Sequence, residues 1–429
     1  MANPGDANKL APEDRPAHDW YRFVLSFPPH LVRDYLSRFE VTPEQCVLDP
    51  FCGTGTTLVE CKKLGIPSVG IEANPMAHFA AKVKTEWGPD PDALAEQTAR
   101  VALEAGAALA AEGTADDPAL KQRGNGHDAL RTLPPESSSL LLADSISPLA
   151  LHKTLVLLAH IHEGLDGSIS SHALLALARA VVVSISNLHF GPEVGVGPVK
   201  SDVAVIAPWL AGVQEMGSDL RGLAPRSGVP SIVHRADARD ALAALEPNSV
   251  DAVFTSPPYP NEKDYTRTTR LESVLLGFIK NRTDLQALKK TLVRSNTRGV
   301  YKGDDDDHWV RNHPEIQRIA DAIEARRLEL GKTSGFERLY PRVTRLYFGG
   351  MARHLSDLRT VLRPGARLGY VVGDQASYLR VMIHTGQLLA DIARDLGYEV
   401  VGIDLFRTRL ATATKAQLRE EVVVLRWPG

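Results

Sequence analysis

The sequence predicts a doubly wound α/β fold, a largely parallel sheet with helices on both faces. Three observations carry that expectation. Residues 46–84 read strand, turn, helix, strand, helix, with segment lengths suited to a parallel βαβ unit. The same alternation resumes after residue 230 and runs to the last residues. Apolar residues make up 44% of the 429 positions and charged residues 24%, which suits a buried core and excludes disordered, collagen-like and disulfide-framework chains.

Taken in order, residues 1–18 are polar and Pro-rich, lack an apolar signal core, and read as a flexible tail. An aromatic loop follows, then a helix opened by Pro28-Pro29, Pro being favoured in a first turn. Residues 46–48 form a short apolar strand, 49–55 a Gly-containing turn, Thr56–Leu64 a helix and Ser68–Ile71 the next strand. Residues 91–229 break the rhythm with an Ala/Glu-rich helix at 93–112, a polar loop, helices near 148–163 and 171–186, and a Gly/Pro/Val segment without helical period. This stretch is expected to be a mostly helical insertion and a candidate target-recognition region. Strands return at 231–234 and 250–255, the latter running into a turn at 255–259. A second, basic helical insertion is expected over 265–335, then helix-turn-strand and a closing helix with two strands. The count is about seven strands, in a domain made of 19–90 and 230–429.

Net charge is −3 with a pI near 6.5, so no global basic field points to nucleic acid. Locally, residues 263–302 hold ten Lys/Arg against three acids. A solvated helix face is one reading of that run and a track for a phosphate backbone the other, with Arg267, Arg270, Lys289, Lys290, Arg294 and Arg298 as candidate contacts. The three cysteines, Cys46, Cys52 and Cys61, have no zinc-ligand spacing, and an odd count suits a reducing compartment. No metal is expected. No uninterrupted run approaches the ~18 apolar residues of a membrane span, so the expected location is cytoplasmic, with no membrane partner.

The turn Asp49-Pro50-Phe51-Cys52-Gly53-Thr54-Gly55 admits several readings. A phosphate-cradling loop needs Gly-Lys-Ser/Thr, and no lysine follows Gly55. A dinucleotide fingerprint wants a third glycine where Leu58 stands. A plain βα turn is the bland alternative. The remaining reading is an S-adenosylmethionine turn. Asp49 at a strand end can meet a methionine ammonium, and Glu72, 17 residues after Gly55, suits a bidentate grip on ribose hydroxyls.

The second motif, Asp251-Ala252-Val253-Phe254-Thr255-Ser256-Pro257-Pro258-Tyr259, ends a buried strand in a turn stiffened by two prolines that lack amide donors. What it presents is acceptors, the Ser256 hydroxyl and Pro257 carbonyl, beside the Tyr259 ring. That set fits an exocyclic amine on a flat base. A polyproline ligand or a plain turn would also write these four residues.

Together, the two motifs make the chain resemble the amino-group DNA methyltransferases, which methylate the exocyclic amine of adenine or cytosine. The Ser-Pro-Pro-Tyr version is most like the enzymes specific for cytosine N4. The resemblance implies a Rossmann-like methyltransferase sheet, S-adenosylmethionine as cofactor and double-stranded DNA as substrate. It implies Ser256, Pro257, Pro258 and Tyr259 as catalytic residues. Asp49, Phe51, Gly53, Thr54, Gly55 and Glu72 fall to the cofactor, with Asp237 near its adenine and Phe27 and Pro28 packed on it. A cognate restriction endonuclease is a candidate partner, and a monomer or homodimer the expected state. The implied chemistry is direct transfer to a flipped-out base, without the thiol nucleophile that carbon-5 enzymes carry in a Pro-Cys pair absent here. Adenine N6, an RNA or protein amine, and non-catalytic nucleic-acid binding on a retained fold are the rival readings.

Overall fold

Short apolar runs bounded by Gly and Pro become the central strands. The computed structural model describes residues 10–22, 26–120, 130–190, 193–261, 263–410 and 417–429. Its main sheet contains β1 (Val47–Asp49), β2 (Ser68–Ile71), β5 (Ser231–His234), β6 (Val250–Thr255), β7 (Leu362–Gly373), β8 (Glu399–Leu410) and β9 (Gln417–Arg426). A separate antiparallel hairpin pairs β3 (Leu188–Phe190) with β4 (Val194–Val196). Across the main sheet the order is β5-β2-β1-β6-β7-β9-β8, and only β9 runs antiparallel to its neighbours. The connections turn in opposite directions on the two sides of β1, so the carboxyl ends of β1 and β6 flank a topological switch point, where open α/β sheets form their ligand crevice.

Alternation along the strands gives each face its own core. Val47, Ala252, Phe254 and Val371 pack with Leu31, Val32, Tyr35 and Leu36 of the helix Pro29–Arg38. Leu48, Val253, Tyr370 and Val372 pack on the other face with the helices Gly335–Leu358 and Thr385–Asp395. Each such fully buried aliphatic side chain contributes about 1.5–3 kcal/mol. The doubly wound arrangement expected from the sequence is present.

The region between β2 and β5 is mostly helical, with Pro91–Ala111, Pro148–Gly164, Gly167–Ala180 and Ile206–Leu223 as its main elements. Its core does not stand alone. Trp209, Val213 and Leu177 belong to one cluster with Val59, Met76 and Ala80 from the helices beside β1 and β2. The stretch Gly167–Ile185 has the length and mean hydropathy, 1.6, of a membrane span by composition. Half of it is buried in this cluster, with Trp209 Nε1 donating to the Ala173 carbonyl at 2.9 Å.

Two expectations need correction. The proposed tail, residues 1–18, is packed over its described part: Asp14, Ala17 and His18 are buried. Arg33 bonds to Asp14 at 2.7 Å and to Glu60 at 2.5 Å, while His18 meets Glu60 at 2.8 Å. Residues 1–9 lie outside the described ones. The acidic run 304–307, whose four consecutive Asp residues would suit a solvated loop, is an anchor instead. Asp304 pairs with Arg294 and Asp306 with Arg239, and the Asp306 backbone lies directly on Gly349.

A Cβ at Gly349 would overlap the Asp306 carbonyl. Gly349→Ala is therefore expected to lower stability by about 1–3 kcal/mol through overpacking, read as a drop in Tm. Gly222→Ala, on a helix with nothing within 4 Å of the new methyl, should not destabilise and serves as its control.

Candidate active site

The strand ends converge on one cavity of about 510 Å³, within the usual range of about 300–1,000 Å³ for ligand pockets. Four turns wall it. Phe51, Gly53 and Thr54 come from the turn after β1, Glu72 and Asn74 from that after β2, Asp237 from that after β5, and Ser256 to Tyr259 from that after β6. Phe27 closes one side, its ring 5.7 Å from that of Phe254. Of the residues singled out from the sequence, Asp49, Gly55 and Pro28 do not line the cavity. Asp49 is fully buried beneath the turn. Gly55, at φ +84°, lets the helix Thr56–Leu64 approach the helix Pro75–Lys84 so closely that a Cβ would meet Ala81 at 3.1 Å.

Asp49 links the two motifs. Its Oδ1 accepts from Thr255 Oγ1 at 2.6 Å and from the Phe51 amide at 3.2 Å. Its Oδ2 is buried without a partner. Burial pushes this carboxyl up to about 6, against the hydrogen bonds that favour its charged form. Glu72 accepts from the Gly53 amide at 2.9 Å and the Asn74 amide at 2.7 Å. Burial drives it up to about 7, with the charge of Asp49 adding to the rise. Two desolvated acids with raised pKa, one lining the cavity and one beneath its turn, are the kind of groups that functional sites use.

Asn74 caps the helix Pro75–Lys84 through Met76 N at 3.0 Å and donates to Thr269 Oγ1 at 3.1 Å, which couples the β2 turn to the segment after Tyr259. Asp237 is gripped by the Arg239 guanidinium, at 2.7 Å from Nη2, and Arg239 also donates to Asp306 at 2.5 Å. In the second motif, Ser256 Oγ donates to the Val371 carbonyl at 3.0 Å. The hydroxyl proton is thus committed to the sheet, and the oxygen's lone pairs remain available as acceptors. The Asn261 amide donates to the Tyr259 carbonyl at 2.8 Å and closes the turn.

The six candidate DNA contacts separate into two groups. Arg294 is buried with Asp304, Lys289 pairs with Asp264 at 2.8 Å, and Arg270 is tied to Thr266. These three hold partners within the fold, and Lys289 and Arg294 also line the cavity. Lys290 and Arg298 are exposed and Arg267 is part-exposed; the two arginines reach the same carboxylate, Glu193 of the hairpin, Arg267 at 3.7 Å and Arg298 at 3.8 Å. Glu193 itself lines the cavity. Sequence reasoning missed further lining residues, among them Asn74, Asn261, Lys263, Gln375, Arg409 and Glu420. Asn74 carries a legible signal, as a capping Asn before Pro75. The others come from separate segments and have none.

The donor set fits S-adenosylmethionine. The unpartnered Asp49 Oδ2 and Thr54 Oγ1 are buried polar atoms awaiting a partner, and Glu72 stands one strand away with a carboxylate for hydroxyls. Cys52 is unsuited to act as a nucleophile: it is buried against Leu58 and Ala81, and burial raises its thiol well above the usual range. Among the described residues no group of His, Cys, Asp and Glu could hold a metal.

Comparison with known proteins agrees with this geometry. The DNA methylase family of the N6/N4 type matches residues 8–82. The type II methyltransferase M.BsoBI of Geobacillus stearothermophilus is 24% identical over 97% of this chain and 85% of its own length. M.AvaI of a Nostoc species is also 24% identical, over 97% of this chain and 88% of its own. M.MjaII of Methanocaldococcus jannaschii is 40% identical over 70 residues, 16% of this chain and 13% of its own. Enzymes of this type use S-adenosylmethionine. With both motifs on one cavity at the switch point of the sheet, the geometry and these similarities agree in likening the chain to the amino-group DNA methyltransferases.

Proposed function

We propose that the protein transfers a methyl group to the exocyclic N4 amine of a cytosine taken out of duplex DNA, as the modifying partner of a restriction system in the cytoplasm. The observation that carries this is the Ser256–Val371 hydrogen bond, which leaves the hydroxyl oxygen and the adjacent Pro257 carbonyl as paired acceptors in the cofactor-sized cavity.

Bound there, S-adenosylmethionine supplies an electrophilic methyl on a positively charged sulfur. The chain's own residues do the positioning. Unstacking the base costs ~ a few kcal/mol, and the Tyr259 ring offers a face whose stacking returns ~1–3 kcal/mol. Ser256 Oγ and the Pro257 carbonyl accept the two amine hydrogens, which draws the nitrogen lone pair out of conjugation with the ring. So held, the amine nitrogen would face the methyl that the bound cofactor supplies, and its surplus proton would pass to solvent. Orientation of this kind supplies much of the acceleration in a two-reactant step. The helical region 91–229 and the accessible Lys290, Arg267 and Arg298 are where we place the duplex.

Ser256→Ala removes one acceptor and should lower turnover on cognate DNA by about 100-fold, misplacement of a reacting group being that costly. Single-molecule sequencing of DNA from a methylation-free bacterium expressing the protein reads this out. Modified cytosine in one short motif, absent with the variant, is the expected result. Modified adenine would transfer the same mechanism to N6. Unmodified DNA with folded, cofactor-binding protein would overturn the DNA reading in favour of RNA or protein.

Asp49→Asn separates stability from binding. The folded-state pKa of Asp49, about 6, lies above its ordinary 3.8, so the stability that the bound proton confers is full below pH 3.8 and lost as pH rises through 6. That loss is about 3 kcal/mol for a fully buried group. The variant keeps the Oδ1 acceptor, so its Tm should exceed that of the wild type above pH 7 and match it below pH 4. Affinity for S-adenosylhomocysteine should fall at least about tenfold, from loss of a charge-assisted contact.

A further inference from the structure

Behind the β1 turn lies a second, much smaller cavity of about 10 Å³. It shares Ser26, Phe27, Thr54 and Thr56 with the large cavity, so the two are separated by one layer of side chains. A space of this size admits a single oxygen-sized group. Among the residues of its far wall is Lys84, the last residue of the helix Pro75–Lys84.

Lys84 is a buried cation without a counter-ion, as Asp49 is a buried acid without one. It is 1% exposed, and its ammonium makes no hydrogen bond or ion pair among the described residues. Burial pushes it down to about 7, and Lys63 and Arg22 push the same way against Asp19 and Cys52. The carboxylate that acts on it, Asp19, pairs with Arg15 at 3.8 Å, and Glu60 meets His18, Arg33 and Lys63. Burial without a counter-ion disfavours the charged form, so an anionic ligand reaching this position would be held by it. On the shared wall, Thr54 Oγ1 is a second buried polar atom without a partner. Thr56, also on that wall, opens the helix Thr56–Leu64, whose first-turn amides face toward its N-terminus. A cation, an unused hydroxyl and a helix N-terminus together describe the surroundings of a carboxylate.

We propose that Lys84, with Thr54, holds the carboxylate at the amino-acid end of S-adenosylmethionine. This rests on the methyltransferase reading and extends it. The amino-acid end is a zwitterion and needs one site of each sign. Asp49, beneath the same turn, is the acid for the ammonium, and Lys84 is the base for the carboxylate. The cofactor's carboxylate supplies the counter-charge that the chain omits. Lys84 thereby favours ligands with an intact amino-acid tail over plain nucleosides.

Calorimetric titration of wild-type protein and Lys84→Met with S-adenosylhomocysteine and with 5′-methylthioadenosine, which lacks the amino-acid tail, tests this. The methionine keeps the length of the side chain without its charge. The expected result is a loss of at least tenfold in affinity for S-adenosylhomocysteine, with 5′-methylthioadenosine unchanged within twofold and serving as the control for folding. Thr54→Val should show the same selective loss to a smaller extent. Unchanged S-adenosylhomocysteine binding, or an equal loss for both ligands, would overturn the assignment of Lys84 while leaving the methyltransferase reading in place. Wild-type protein that binds neither nucleoside would overturn both.

Discussion

One hydrogen bond, from Thr255 Oγ1 to Asp49 Oδ1, joins two residues 206 positions apart and sets the geometry of everything around it. It exists because β1 and β6 are parallel neighbours, with Val47 opposite Ala252 and Leu48 opposite Val253. With that register, the last residues of both strands end side by side, and the turns that follow must share a crevice. A one-residue slip would exchange the faces of β6, pointing Phe254 away from Tyr35 and Thr255 away from Asp49. The hydrophobic pattern that fills the two cores therefore also fixes the distance between the cofactor turn and the catalytic turn.

Charge is handled differently at the site than elsewhere. Much of the buried charge away from it is paired, Glu272 Oε2 and Asp374 Oδ1 excepted: burial alone would raise Glu60, yet His18, Lys63 and Arg33 hold it down at about 2. Arg239 spans Asp237 and Asp306 in the same manner. Around the β1 turn such pairing stops. Asp49 Oδ2, Thr54 Oγ1 and the Lys84 ammonium all lack partners among the described residues. Polar groups of both signs left open around one turn suit a ligand carrying the complementary groups.

Much of this was legible in the sequence, for identifiable reasons. The β1–β2 unit could be read because short apolar runs, Gly53, Gly55 and Gly65 punctuate it locally. Ser256 to Tyr259 could be read because two prolines after an apolar strand leave few alternatives. What stayed hidden depends on partners distant in sequence. The run 263–302 looked uniformly basic, yet Arg294 is neutralised by Asp304 and Lys289 by Asp264 through folding of the segment on itself. The β3–β4 hairpin arises from a segment with no periodicity, and its Glu193 reaches the cavity only through tertiary placement. Lys84 ends an ordinary amphipathic helix, and nothing in its neighbours along the chain announces that its charge is unpaired.

The central claim is that the turns after β1 and β6 form one binding site. Hydrogen-exchange mass spectrometry with and without S-adenosylhomocysteine tests it most directly. The account predicts that ligand protects amides of residues 50–56, 72–77 and 256–261 together, since all three segments wall the same cavity. Protection of the first turn with none at 256–261, or protection centred on the helical region 91–229, would contradict it.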